Sequence, residues 1–207
     1  MDGRLAFGAL LAVPALYGLL VWATGVFGPL GGMALGLLAY WAALAGTLAL
    51  VSDRDTLWQL SEARLPPLSV TLALALPVVV LGALALRALG TVLIPAHLIV
   101  AAALGAIVHA VLEELFWRGA MLPRPTPAAA AGALLVFWVF HIAWLGARGL
   151  ETGLDPLLLA LGPLALGGAW TAARLATGTL GAAILGHAAT ALFLAVLVLA
   201  QGAPPLP

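Results

Sequence analysis

Two adjacent carboxylates, Glu113 and Glu114, and an arginine four residues later interrupt an apolar stretch of this 207-residue chain. A charged side chain near the centre of a bilayer costs at least ~2.5 kcal/mol, so three together mark a functional site. On a helix, Glu114 and Arg118 lie one turn apart on one face, whereas Glu113 points elsewhere. The spacing therefore predicts an ion pair between Glu114 and Arg118 and leaves Glu113 as a free carboxylate.

Three histidines are predicted to lie at an interior depth of the membrane, as Glu113 does. His109 precedes Glu113 by one helical turn and shares its face. Glu113 and His141 flank the proline-rich turn at 123–127, and the helical rise places them within about two turns of the same depth. His187 lies in the last apolar segment, also away from either interface.

A carboxylate and a histidine at one depth can activate a water molecule, with the carboxylate as general base. A second histidine can polarise a carbonyl group or stabilise an oxyanion. The same three groups, Glu113, His141 and His187, are also a familiar set of zinc ligands. Neither histidine stands in a His-Glu-x-x-His pattern. The residues alone therefore do not favour zinc over a water molecule without metal.

The composition indicates that these groups lie in a membrane protein. Hydrophobic residues make up 64% of the chain and charged residues 8%, whereas soluble domains carry about 25% charged residues. The mean hydropathy is +1.18. The absence of cysteine excludes disulfides and thiolate ligands. A net charge of zero without a basic stripe argues against nucleic acid as a partner.

The elements that position these groups are predicted to be membrane-spanning helices, each of which needs about 20 apolar residues. Polar residues, glycines and prolines divide the chain into seven candidates, joined between the first two by a turn at Gly28-Pro29. They are approximately 4–27, 29–51, 68–89, 91–122, 127–147, 154–174 and 178–201. The predicted fold is an all-α polytopic membrane helical bundle of about seven transmembrane helices.

The whole chain, 1–207, is predicted to form a single membrane domain. Residues 1–90 hold the N-terminal helices and the polar segment 52–67, which is either a short amphipathic helix at the membrane interface or a solvated loop. Residues 91–201 carry the polar motifs. Arginines are concentrated on the N-terminal side of the predicted spans, which places the N-terminus in the cytoplasm and the C-terminus outside the cell membrane.

Three short motifs in the C-terminal half resemble those of a known family. They are Glu113-Glu114-x-x-x-Arg118, Phe137-x-x-x-His141 and the late His187. The pattern, over about 109–191, is similar to the CPBP family. These are the type II CAAX prenyl-endopeptidase-like intramembrane proteases, which include bacteriocin-immunity-type members.

The resemblance implies an all-helical membrane fold around a cavity in which water attacks a peptide bond of a membrane-associated substrate. The substrate implied is a peptide or protein, prenylated in the founding case. Glu113 and His141 would activate the water, His187 would help hold the oxyanion, and Glu114 and Arg118 would brace the site. Both a metalloprotease mechanism with zinc and a metal-free glutamate mechanism are compatible with the resemblance.

One position departs from the family pattern. The residue four after the third-motif histidine is usually Asn or Asp, and here it is Ala191. Thr190 is adjacent in sequence but about 100° away around the helix. Together with His109 and Phe137, Thr190 is a candidate for lining the cavity. Loss of one oxyanion donor typically costs about 10²–10³ in rate.

Two other functions therefore stay open beside the protease. One is a catalytically silent member of the family that acts as an immunity or scaffold protein. The other is a small proton-coupled transporter that uses Glu113 and the histidines as a relay. The sequence lacks an inverted repeat with paired broken helices, which such carriers often contain, so the transporter ranks last.

Overall fold

A computed structural model describes residues 1–206 as an assembly of helices. Within that range the α-helices are α1 Gly3–Val51, α2 Arg54–Leu60, α3 Leu68–Leu89, α4 Ala96–Glu114, α5 Pro127–Phe140, α6 Pro156–Thr177 and α7 Gly181–Gln201. α4 continues as a π-helical turn, Leu115–Ala120, and α5 as a 3₁₀ helix, His141–Gly146. Six helices of this described range are long and apolar enough to cross a membrane. The predicted all-α membrane fold is confirmed.

The longest helix, α1, is a hairpin. Gly28 interrupts it with φ 74° and ψ 172°, a conformation that glycine adopts without strain. Gly32 lies directly against the backbone of Thr24, and Gly36 lies against the side chain of Leu20. Because later residues thus contact earlier ones, the two arms run antiparallel. Each arm is about 35 Å long, so each is long enough to cross a membrane by itself, as the turn at Gly28-Pro29 predicts.

Among the remaining helices, α4 and α7 lie side by side and run in opposite directions. Leu93, just before α4, donates its N–H to the carbonyl of Pro204, just after α7. At the other end, Leu180 at the start of α7 lies against Gly119 in the π-helical turn. α7 also packs on α3 and α6, and the 3₁₀ helix packs on α1. The carboxylates at the end of α4 therefore face the first half of α7, where His187 lies.

The start of α4 differs from the predicted span 91–122. Helix α4 begins at Ala96, directly after Pro95. Proline disfavours a helical conformation at the residue before it and is well placed at a helix start. The preceding residues instead pair with the C-terminal segment, since Leu206 donates its N–H to the carbonyl of Thr91 at 3.0 Å.

The polar segment 52–67 contains the short helix α2, and none of that helix's residues is buried. Asp53 caps this helix and accepts hydrogen bonds from the backbone and hydroxyl of Thr56 at 2.8 and 2.6 Å. These hydrogen bonds lower the pKa of the Asp53 carboxyl, so it stays ionised at neutral pH. The backbone N–H of Leu180 donates to the carbonyl of Leu60, which attaches the segment to the start of α7.

Candidate active site

Glu113, at the end of α4, is fully buried, and its two carboxylate oxygens have different surroundings. Its Oε1 accepts a hydrogen bond from the hydroxyl of Tyr40 at 2.6 Å. The same hydroxyl oxygen accepts the indole N–H of Trp117 at 3.0 Å. An indole nitrogen only donates, so the Tyr40 proton is directed at Glu113. Among the residues that the structure describes, Oε2 of Glu113 has no hydrogen-bond partner.

Glu114 and Arg118 form the ion pair that their spacing predicts. Arg118 Nη1 lies 3.2 Å from Glu114 Oε1, and both side chains are buried. The guanidinium also donates to the carbonyl of Gly167 at 3.2 Å and lies 4.1 Å from the centre of the Phe137 ring. The pairing and these further hydrogen bonds offset part of the desolvation penalty, while Oε2 of Glu114, like that of Glu113, has no partner among the described residues.

His187 projects from α7 between the two carboxylates. Its Nδ1 lies 2.9 Å from Glu114 Oε1, the oxygen that Arg118 also contacts. An ionised carboxylate only accepts, so Nδ1 carries a proton and, in the neutral ring, Nε2 carries a lone pair. That Nε2 lies 3.7 Å from Glu113 Oε2. Trp170 stacks on the ring at 3.8 Å and fixes its plane.

His109 lies one helical turn before Glu113 in α4 and contacts the carboxylate oxygen that His187 does not. Its Nε2 lies 3.8 Å from Glu113 Oε1. The indole N–H of Trp41 donates to His109 Nδ1 at 3.1 Å. The neutral ring of His109 therefore carries its proton on Nε2. Its side chain is 18% exposed, whereas that of Glu113 is 0% exposed.

His141 lies near the site but makes no direct contact with either carboxylate. Its Nδ1 lies 2.8 Å from the carbonyl oxygen of Phe137, so Nδ1 carries a proton and Nε2 is an acceptor in the neutral ring. The two rings are 4.3 Å apart. Over residues 1–206, His141 forms no ion pair with a carboxylate. The structure thus brings Glu113, Glu114, Arg118 and His187 together and leaves His141 beside them.

His109, Glu113 and His187 form a group that could hold a metal ion, since one ligand atom from each lies within 4.8 Å of the others. His109 takes the place that the sequence interpretation assigned to His141. Glu113 Oε2 and His187 Nε2 offer lone pairs, and Glu114 supports His187 as a carboxylate supports many metal-bound histidines. His109 Nε2 offers a lone pair only if its hydrogen bond with Trp41 is lost, so two of the three ligands fit a metal as they stand.

The predicted lining residues have different surroundings. Phe137 is buried between Arg118 and His141. The hydroxyl of Thr190 donates to the carbonyl of Gly186 at 2.7 Å, within its own helix. Thr190 is therefore committed to the backbone of α7.

Several residues at this site were missed from the sequence, because their role depends on contacts between distant helices. They are Tyr40, Trp41, Trp117, Gly167 and Trp170. One signal was available: Tyr40 is one of only two tyrosines and lies in the middle of an apolar span. A buried tyrosine hydroxyl usually has a hydrogen-bond partner, so it points to a second polar group at that depth.

The comparison with known families agrees with the motifs. Residues 95–193 match the family model described as type II CAAX prenyl endopeptidase Rce1-like. The matched segment runs from the start of α4 into α7 and so includes the carboxylates and their histidines. No curated protein and no solved structure matches the chain significantly. The resemblance inferred from the three motifs is confirmed.

Proposed function

Because residues 95–193 form an Rce1-like domain of the type II CAAX prenyl endopeptidase family, we propose that this chain is an intramembrane endopeptidase. In this proposal Glu113 activates the water that hydrolyses a peptide bond. One observation supports it above the others. Glu113 Oε2 is buried and without a partner among the described residues, and it faces His187 Nε2 at 3.7 Å. The two acceptor atoms would each take one hydrogen of a water molecule.

In the proposed reaction, Glu113 accepts a proton from this water as its oxygen attacks the carbonyl carbon of the substrate. The carbonyl oxygen becomes negatively charged in the tetrahedral intermediate. The carbon–nitrogen bond then breaks, and the proton held by Glu113 passes to the departing nitrogen. The products are a carboxylic acid and an amine, and Glu113 returns to its ionised state.

The surrounding residues support the role of Glu113 Oε2 as the base and of His187 as its partner. The Tyr40 hydroxyl occupies Oε1 of Glu113, which leaves Oε2 to meet the water. The ion pair of Glu114 with Arg118 orients His187 through its Nδ1. The resemblance also gives His141 a part in activating the water. Its free Nε2 acceptor is compatible with that part, which stays a prediction.

The substrate, on this proposal, is a peptide or protein held in the bilayer. The family acts on prenylated protein substrates in membranes, so a prenylated C-terminal peptide is the first substrate to try. We propose further that the protein is a multi-pass protein of the cell membrane, with its N-terminus in the cytoplasm. The arginine distribution supports that orientation.

The direct test is hydrolysis of a prenylated peptide and its unprenylated counterpart by the purified protein in lipid bilayers. We expect the wild type and a Glu62→Gln control, which alters an exposed carboxylate, to cleave at similar rates. Glu113→Gln keeps the size of the side chain but removes the base, so its rate should fall by at least about 10²-fold. A wild type no faster than Glu113→Gln would favour the silent immunity or scaffold function.

A metalloprotease with zinc is the second candidate, favoured by the group of His109, Glu113 and His187. There the bound metal would supply Lewis-acid activation of the water. This candidate predicts one zinc per purified chain and loss of that zinc in His187→Ala. It also predicts that chelation stops hydrolysis and that added zinc restores it. Full activity after removal of all bound metal would exclude it.

A further inference from the structure

His109 differs from the other site histidines in the nitrogen that carries its proton. In His141 and His187, Nδ1 lies beside a carbonyl or carboxylate oxygen, so their neutral rings present a lone pair at Nε2. In His109, Nδ1 accepts the Trp41 indole N–H, so the neutral ring presents an Nε2–H instead. Neutral His187 therefore cannot donate to a substrate oxygen from Nε2, whereas neutral His109 can.

This N–H lies at the level of Ala191 in α7, where the family pattern has Asn or Asp and this chain has no hydrogen-bond donor. α4 and α7 run antiparallel, and Glu113 faces His187. The residue one helical turn before Glu113 in α4 therefore lies level with the residue one turn after His187 in α7. At that level α4 carries His109, and α7 carries the methyl group of Ala191. The neighbouring Thr190 hydroxyl donates to its own helix.

His109 also lies at a less enclosed edge of the site than Glu113 does. Its ring lies 5.3 Å from that of His187 and meets it edge to face. Its side chain is partly exposed, whereas Glu113 is fully enclosed. A peptide that reaches Glu113 from this edge would pass the Nε2–H of His109.

We propose that His109 is a catalytic residue that donates its Nε2–H to the carbonyl oxygen of the scissile bond. Trp41 is then a positioning residue that fixes the required tautomer. The assignment rests on the proposed endopeptidase function. As the carbonyl carbon becomes tetrahedral, its oxygen gains negative charge and the hydrogen bond from His109 strengthens, which lowers the barrier. The proton stays on His109 throughout.

The tautomer can be measured independently of any substrate. In ¹⁵N-histidine NMR spectra of the protein in lipid nanodiscs, we expect His109 to be protonated at Nε2. Trp41→Phe should convert a substantial fraction of it to the Nδ1–H form, while Trp58→Phe, at an exposed tryptophan, should not. His109 protonated at Nδ1 in the wild type, or a tautomer that Trp41→Phe leaves unchanged, would overturn the proposal whatever the activity.

The role in hydrolysis is tested with a pair of substitutions and a matched control on the same helix. His109→Leu removes the donor, and we expect kcat to fall about 10²–10³-fold with KM little changed. His109→Gln keeps an oxygen for Trp41 and an N–H for the substrate, so it should recover at least about tenfold of that loss. His97→Leu, at an exposed position of α4, should cleave as the wild type does.

Parallel assays of Glu113→Gln separate the two proposals. If Glu113→Gln is inactive while His109→Leu retains the wild-type kcat, the His109 assignment fails and the endopeptidase function stands. If Glu113→Gln is as active as the wild type, the proposed function fails. Equal losses in His109→Leu and His109→Gln, accompanied by loss of bound zinc, would make His109 a metal ligand and overturn its role as a donor. Thermal unfolding of both variants checks that they fold.

Discussion

At the scale of single residues, two indole groups determine where the protons of the site lie. Trp117 donates to the Tyr40 oxygen and so directs the Tyr40 proton to Glu113. Trp41 donates to His109 and so places the proton of that ring on the opposite nitrogen. Because an indole has no acceptor, neither arrangement can reverse. Because Trp117 directs the Tyr40 proton to Oε1 of Glu113, Oε2 is the oxygen that stays available to accept a proton from water.

Tyr40→Phe tests the first of these arrangements. It removes the hydrogen bond to Glu113 and leaves the buried N–H of Trp117 without its acceptor. We expect a loss of about 1–3 kcal/mol in the free energy of unfolding, together with slower hydrolysis. Tyr17→Phe, at the other and more exposed tyrosine, is the control. Equal unfolding midpoints for the two variants would show that the Tyr40 hydroxyl contributes little.

Arg118→Leu tests the buried ion pair. It leaves Glu114 as a buried charge without its arginine, which should cost about 3–5 kcal/mol of stability. Adding Glu114→Gln to the same chain should recover part of the loss, because it removes the unpaired charge. Thermal unfolding in detergent measures both, with the exposed Arg87→Leu as control. A double variant no more stable than Arg118→Leu alone would contradict the pairing.

At the scale of elements, α6 serves as the support of the site. It supplies the Gly167 carbonyl to Arg118, stacks Trp170 on His187, and donates from Arg174 Nε to the carbonyl of Arg118 at 3.2 Å. The sequence predicts this helix as a span, but its apolar pattern does not show which face meets the motif helices. The Glu114–Arg118 pair, in contrast, depends only on helical spacing and was predictable.

Gly167→Ala tests this support. A Cβ there would lie 2.8 Å from Arg118 Nη2 and 2.9 Å from both Leu134 and Phe137. Such overpacking typically costs about 1–3 kcal/mol, and it would displace Arg118. Gly162→Ala in the same helix, where nothing lies within 4 Å, should be neutral or slightly stabilising. Similar unfolding temperatures for the two variants would show that the helices do not pack this closely.

At the scale of the whole molecule, the N-terminal hairpin completes a site whose motifs lie in the C-terminal half. Its second arm brings Tyr40 and Trp41 to Glu113 and His109 across more than 65 residues of sequence. Periodicity and composition predict the crossings because each span depends on local apolarity. They do not predict which spans are neighbours. The sequence predicts both His141 and His187 near Glu113; in the structure His187 Nε2 and His109 Nε2 lie 3.7 and 3.8 Å from Glu113 oxygens, and a part for His141 stays a prediction.

If each arm of α1 and each of the five other long helices crosses the membrane, the two ends of the described chain lie on opposite sides of it. Because the chain has no cysteine, single introduced cysteines report their side without background. With the proposed orientation, Asp55→Cys in α2 should be labelled by an impermeant thiol reagent only from the cytoplasmic side. Glu151→Cys, between α5 and α6, should be labelled only from outside. Labelling of both from one side would contradict an odd number of crossings between them.

We propose that Glu113 acts as the base of a metal-free hydrolysis, and one comparison tests this proposal. The most direct measurement is kcat for one prenylated peptide, with wild type and Glu113→Gln compared in metal-stripped bilayers. We expect the wild type to retain full activity there and to exceed Glu113→Gln by at least about 10²-fold. Equal rates for the two proteins, or a wild type that hydrolyses only after zinc is restored, would contradict the role of Glu113 as a metal-free base.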